Sequence, residues 1–267
     1  PGRRKYRPRS RHDASWRAML GYSPSAASPG RAAGGYVTQA NEYRQHRFVR
    51  PSGATELLLV RHGESEPARP DEPFPMVDGQ GDPGLHPEGY EQAQRVAGRL
   101  QAEGIAAIYV TNLRRTVQTA APLAERLGLS PIVEPDLREV HLGEWEGGAL
   151  RRHVAEGNPL LQRVFAEQRW DLIPGAEPAD AFAARVRAAI ERIAERHHDQ
   201  CVAVFSHGGT IGRILAQACG SGALAFTGSD NGAISHLVVT GDRWVIRCYN
   251  DAGHLRPAFS TLSEPLT

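Results

Sequence analysis

Two apolar runs in this chain end in the same dipeptide. Glu56-Leu57-Leu58-Leu59-Val60 stops at Arg61-His62-Gly63, and Cys201 to Phe205 stops at Ser206-His207-Gly208, so the two histidines lie 145 positions apart. Short, unbroken apolar runs of this kind read as strands buried on both faces, the sort found in parallel sheets covered by helices. If the two strands are parallel neighbours, both imidazoles reach one carboxyl edge of the sheet, where α/β domains place their ligands. One histidine at a strand end is ordinarily structural. Two at equivalent ends point to a site.

The segments between and around these strands fit the same architecture. From Thr55 onward, apolar runs alternate with stretches of helical spacing. Helices are predicted over 87–103, with Pro87 near the start and Gly104 after the end, over 115–127, closed by Gly128, and over 178–197, where Phe182, Val186, Ile190 and Ile193 form one stripe. Residues 149–169 read as helical with a break at Gly157-Asn158-Pro159, and a helix follows His207 from about Thr210. Further strands are predicted at 105–110 and 131–134, and a hairpin at 234–249 adds an antiparallel pair. Residues 66–84, with five prolines, form a long loop and a candidate lid facing the substrate. The expected fold is a three-layer α/β/α sandwich with a mixed, mostly parallel sheet. It occupies residues 53–252, with a basic N-terminal extension over 1–52 and a tail over 253–267.

The extension holds 11 of the chain's 31 Lys+Arg and 2 of its 30 Asp+Glu, and its apolar residues show no periodicity, so disorder is expected there. It reads as an RNA- or membrane-attracted arm, as a transit peptide, or as an extension with no selected role. The last reading is preferred, because Lys5 is the only lysine in the chain and arginine richness is therefore a general habit of the sequence. No nucleic-acid or membrane partner is inferred. No apolar run approaches the ~20 residues of a membrane span, and Cys201, Cys219 and Cys248 lack disulfide or metal spacing. A cytoplasmic setting and a homodimer are expected.

Beyond the histidines, five segments carry a resemblance. Leu59-Val60-Arg61-His62-Gly63-Glu64-Ser65, Leu85-His86-Pro87-Glu88-Gly89, Tyr109-Val110-Thr111-Asn112-Leu113-Arg114-Arg115-Thr116, Leu137-Arg138-Glu139 with Gly143-Glu144-Trp145-Glu146-Gly147, and Ser206-His207-Gly208-Gly209 follow one another in order. Together they resemble the histidine phosphatase superfamily, which includes cofactor-dependent phosphoglycerate mutases, over about residues 55–250. That resemblance implies a phosphoglycerate mutase-like fold and no cofactor. It makes His62 a nucleophile, Arg61, Arg115 and His207 a phosphate clamp, and Glu139 a proton donor. An Asn that many members carry just after the signature is missing here, where the chain reads Glu66-Pro67-Ala68-Arg69.

The chemistry suits those residue types. A phosphomonoester carries close to two negative charges, and its transition state spreads charge over three equatorial oxygens, so positioning and cationic hydrogen bonds can suffice without a metal. A neutral imidazole attacks through one ring nitrogen if an acceptor, expected to be a carbonyl near Gly63, holds the proton on the other. Arg114 competes with Arg115, and Glu144 and Glu146 compete with Glu139. Ser65 either donates its hydroxyl to the phosphate or caps the next turn. Asn231 reads as a structural turn residue.

Gly79-Gln80-Gly81-Asp82-Pro83-Gly84 satisfies a dinucleotide fingerprint, but no strand precedes it and Pro83 removes an amide. His141, His197, His198, His236 and His254 lack metal-ligand spacing. The expected activity is metal-independent hydrolysis of a small phosphorylated metabolite through a phosphohistidine. A mutase-type transfer is the alternative; the resemblance disfavours it, because the family's mutases carry an extra segment with lysine and paired arginines between the acid and the second histidine, whereas here only 68 positions separate Glu139 from His207 and no lysine follows Lys5. A non-catalytic phospho-ligand binder is the third reading.

Overall fold

Strand β1 (Thr55–Arg61) lies in the interior of a six-stranded sheet, and the residues that alternate along it feed two separate cores. The computed structural model describes residues 47–255, so most of the basic extension and the end of the C-terminal tail lie outside the described residues. Leu57 and Leu59 point into one core, together with Val202 and Val204 of β6 (Cys201–Ser206), helix α5 (Ala179–Arg196) and helix α6 (Gly208–Cys219). Leu58 and Val60 point into the other, with Ala203 and Phe205, helix α1 (Pro87–Leu100) and helix α2 (Arg114–Leu127). The result is three layers.

The sheet order is β5 (Ile132–Val133), β4 (Ile105–Val110), β6, β1, β7 (Ile234–Thr240), β8 (Arg243–Asp251). The first three neighbour pairs are parallel and the last two antiparallel, which is the mixed, mostly parallel sheet that the sequence predicts.

Local signals set the helix ends. Pro87 opens α1 with the His86 ring accepting from the Glu88 amide, and Gly128 closes α2 at φ 65°. The predicted break at 157–159 separates α3 (Ala149–Ala155) from α4 (Pro159–Glu167), where the Asn158 side chain caps the Leu160 amide at 2.9 Å.

Three features differ from the sequence reading. The 66–84 segment contains a small antiparallel ribbon, β2 (Met76–Val77) and β3 (Gln80–Gly81), turned by Asp78 and Gly79 at φ 48° and 81°. Helix α6 begins at Gly208, two residues earlier than glycine propensity suggests. The chain after β8 also returns to the domain, with Arg95 Nη1 donating to the Leu255 carbonyl at 2.7 Å and His254 Nε2 within 3.0 Å of the Gly232 carbonyl. The folded unit therefore continues past residue 252.

One close approach fixes the loop after β1. A Cβ at Gly89 would lie 2.1 Å from the Glu64 carbonyl oxygen, and one at Gly63 would lie 2.5 Å from that of Gly89. Only glycines let the start of α1 press against the residues that follow His62.

Candidate active site

The pairing of β1 with β6 sets the histidines side by side. Their register matches Val60 with Phe205 and Arg61 with Ser206, and the His62 amide donates to the Ser206 carbonyl at 3.0 Å. One step further along both strands, the rings of His62 and His207 stand 5.2 Å apart at 60°. His62 Nδ1 lies 2.8 Å from the Gly63 carbonyl, an acceptor only, so Nδ1 carries the proton and Nε2 keeps its lone pair. The Asn231 side chain donates to the His62 carbonyl at 2.9 Å, in keeping with a turn residue that locks the backbone. His207 is fully buried; its Nε2 contacts Thr111 Oγ1 at 3.1 Å, and its Nδ1 has no hydrogen-bond partner among the described residues.

Arginines surround this pair. Arg61 Nη1 donates to the Ser229 carbonyl, while its buried Nε has no hydrogen-bond partner among the described residues. Arg115, in the first turn of α2, is buried and donates to the Gly81 carbonyl at 2.9 Å. Arg114 turns away: its amide and its Nε hold the Asp82 carboxylate at 2.7 and 2.9 Å. Adjacent helix positions differ by about 100° in direction, so only one of the two can face the histidines. Desolvation brings the Arg115 guanidinium down to about 10, against the pull of Glu139, Asp82 and Glu146.

Both imidazoles are held well below the ordinary histidine range, first by burial and then by the Arg115 charge beside them. The folded protein therefore binds fewer protons than the unfolded chain once pH falls below about 6.5. Stability should be full above that pH and should decline on acidification, by ~2.7 kcal/mol per pH unit for two histidines that titrate only on unfolding. His236 and His254, also lowered by burial, act in the same direction. Urea unfolding at pH 7.5, 6.5 and 5.5 measures the slope, and His207→Gln should reduce it by about one proton. Stability that stays level across that range is the contrary result.

The acid loop follows the 3-10 turn Pro135–Leu137. Glu139 Oε2 accepts from the Gly209 amide at 2.9 Å, and Oε1 accepts from the Thr210 and Val140 amides at 3.0 Å each, so the carboxylate sits on the N-terminus of α6. Gly209 makes room for it, since a Cβ there would lie 2.6 Å from Oε1. This contact requires a glycine at the second position of α6. The competing carboxylates go elsewhere: Glu146 pins the Leu142 and Gly81 amides at 2.8 and 2.9 Å, and Glu144 is exposed.

Three functional neighbours escape the sequence reading. Gln80, almost fully buried, donates to the Glu139 carbonyl at 2.8 Å and leaves its Oε1 unpartnered. With Arg115 on the Gly81 carbonyl and Arg114 on Asp82, this braces residues 80–82 as a wall beside the histidines. Arg185 of α5 donates to the carbonyls of Arg138 and Glu139 at 2.9 and 2.8 Å and pairs with Glu177 at 2.7 Å, bracing the acid loop from below. Its place within the Phe182–Val186 stripe is the signal that marks it. Arg151 of α3 donates to Ser65 Oγ at 2.7 Å. The buried Ser65 hydroxyl thus accepts from an arginine and caps no turn, and its own proton remains available.

A family model described as the histidine phosphatase superfamily (branch 1) matches residues 57–252. The chain belongs to the histidine phosphatase superfamily. Among curated relatives, a metal-independent phosphoserine phosphatase from Arabidopsis thaliana is 32% identical over 228 residues, covering 82% of this chain and 92% of its own length. A phosphoglycerate mutase-like protein from the same plant is 31% identical over 204 residues, covering 75% of this chain and 86% of its own. Among solved structures, a mycobacterial glucosyl-3-phosphoglycerate phosphatase superposes with a TM-score of 0.61 at 27% identity, covering 74% of this chain and 99% of that one. Within the superfamily this chain is a phosphomonoester hydrolase. No helix among the described residues is long and apolar enough to cross a membrane.

Proposed function

We propose that this histidine phosphatase hydrolyses small phosphate monoesters through a covalent phosphohistidine at His62, using side chains alone. The observation that carries the reading is the Nδ1 contact of His62 with the Gly63 carbonyl, which leaves Nε2 unprotonated among arginine side chains. Nε2 attacks phosphorus and forms the P–N bond as the bond from phosphorus to the ester oxygen breaks. Arg61, Arg115 and His207 hold the equatorial oxygens, whose charge they match better as it spreads. Glu139 gives its proton to the departing alkoxide, then takes one from the water that cleaves the P–N bond. Inorganic phosphate leaves and His62 is neutral again.

The relatives named for phosphoserine and for glucosyl-3-phosphoglycerate support a small phosphorylated metabolite as substrate. Cys201, Cys219 and Cys248 form no disulfide among the described residues, which suits a reducing, cytoplasmic setting. The test is a screen of phosphorylated metabolites with the purified protein, with and without a chelator, including 3-phosphoglycerate. Phosphate release that is indifferent to chelator is expected. Isomerisation of 3-phosphoglycerate in place of phosphate release would promote the mutase, and chelator sensitivity would count against a side-chain-only mechanism.

A further inference from the structure

Three arginines stand around His62. Arg61, Arg115 and Arg151 all lie close enough to His62 to disfavour its protonated form. Acidic side chains offset the first two: Glu139 and Asp230 act on Arg61, and Glu139, Asp82 and Glu146 act on Arg115, whereas Glu64 alone acts on Arg151.

Arg151 differs from the other two by position and by partners. Arg61 and Arg115 come from the sheet edge and the first turn of α2, whereas Arg151 comes from α3, outside the sheet, and is only partly buried. It is fixed from three sides: Nη2 donates to Ser65 Oγ at 2.7 Å, Nη1 donates to the Glu66 carbonyl at 2.7 Å, and the guanidinium stacks 5.2 Å from the centre of the Phe74 ring. All three partners are neutral. The carboxylate it senses is Glu64, and no acidic side chain of the described residues lies within ion-pairing distance of it. A cation that has given up water without gaining a counter-ion is costly unless a ligand supplies one. A planar fork already held by a hydroxyl, a carbonyl and an aromatic face loses little freedom when it binds a carboxylate.

We infer that Arg151 is a specificity-determining residue that binds a second acidic group of the substrate, and that the preferred substrates are phosphomonoesters bearing a carboxylate near the phosphate. This rests on the hydrolase reading above. Ser65 then links the two halves of the substrate site, lying three residues after His62 while accepting from Arg151.

The test compares wild type, Arg151→Gln and Arg151→Lys on three esters: 3-phosphoglycerate, glycerol 3-phosphate, which lacks the carboxylate, and p-nitrophenyl phosphate. Wild type should favour 3-phosphoglycerate over glycerol 3-phosphate. Arg151→Gln should lower kcat/KM for 3-phosphoglycerate by about 10- to 100-fold, mainly through KM, because the contact is the same in ground and transition states. Its loss on the other two esters should be smaller by at least about tenfold, so the preference collapses. Arg151→Lys should restore part of it, since the charge returns without the fork. Equal losses on all three esters, or a wild type indifferent to the carboxylate, would overturn the assignment while leaving the hydrolase intact. A wild type inactive on every ester would instead remove the hydrolase reading and the assignment with it.

Discussion

His62→Ala should lower the rate of p-nitrophenyl phosphate hydrolysis by at least about 10⁴-fold, the scale on which removing a covalent nucleophile acts, while the protein remains folded. The fold should survive because the ring makes one side-chain hydrogen bond, to the carbonyl of its own neighbour Gly63, and the strand pairing at the site runs through the backbone. The expected loss of stability is about 1–3 kcal/mol, which a thermal melt resolves. Wild type mixed with a radiolabelled ester and quenched in alkali should retain label on a nitrogen-bound phosphoryl group that acid removes, and His62→Ala should retain none. Activity in the purified variant within a hundredfold of wild type would show that another group attacks phosphorus.

Glu139→Gln should discriminate between leaving groups. An alkyl phosphate expels a strongly basic alkoxide and needs the proton, so its turnover should fall by about 10²- to 10⁴-fold. p-Nitrophenolate leaves without help, and formation of the phosphoenzyme from that ester should fall far less. Steady-state turnover on both esters still includes the water step, so single-turnover measurement of the first step is the sharper reading. The substitution also has a structural side: both Glu139 oxygens accept backbone amides of α6, and a glutamine NH₂ cannot accept. Some stability, about 1–2 kcal/mol, should be lost with it, and the assays belong at a temperature where the melt shows the variant folded. Equal losses on the two esters in the first step would remove Glu139 as the proton donor.

The strands, the layers and the meeting of His62 with His207 were legible because they depend on burial and on strand ends, which sequence encodes directly. The acceptor for His62 was legible from chemistry, since an imidazole that attacks through one ring nitrogen needs an acceptor to hold the proton on the other. The choice of Arg115 over Arg114 was not readable from spacing alone and rested on family resemblance; the structure explains it through Asp82, a residue 32 positions earlier that takes Arg114 out of the site. Gln80 lay hidden in what read as a long loop, because its wall exists through bonds to Glu139, Arg114, Arg115 and Glu146 that no local pattern records. The start of α6 was misplaced because propensity penalises Gly208 and Gly209, whereas the approach of Glu139 to Gly209 demands the absence of a side chain. Arg151 stood in an Arg-Arg pair with nothing to separate the two. Each miss is a long-range contact overriding a local preference.

The pairing of β1 sets a timetable for biosynthesis. Both lateral neighbours of this interior strand, β6 and β7, are encoded after residue 200. A nascent chain that has not yet emerged to Cys201 therefore presents an apolar strand with two naked edges, the configuration most open to misassociation. Closure must await contacts of large sequence separation, which slows folding relative to a locally paired sheet. Catalytic competence is thus among the last properties the growing polypeptide can acquire.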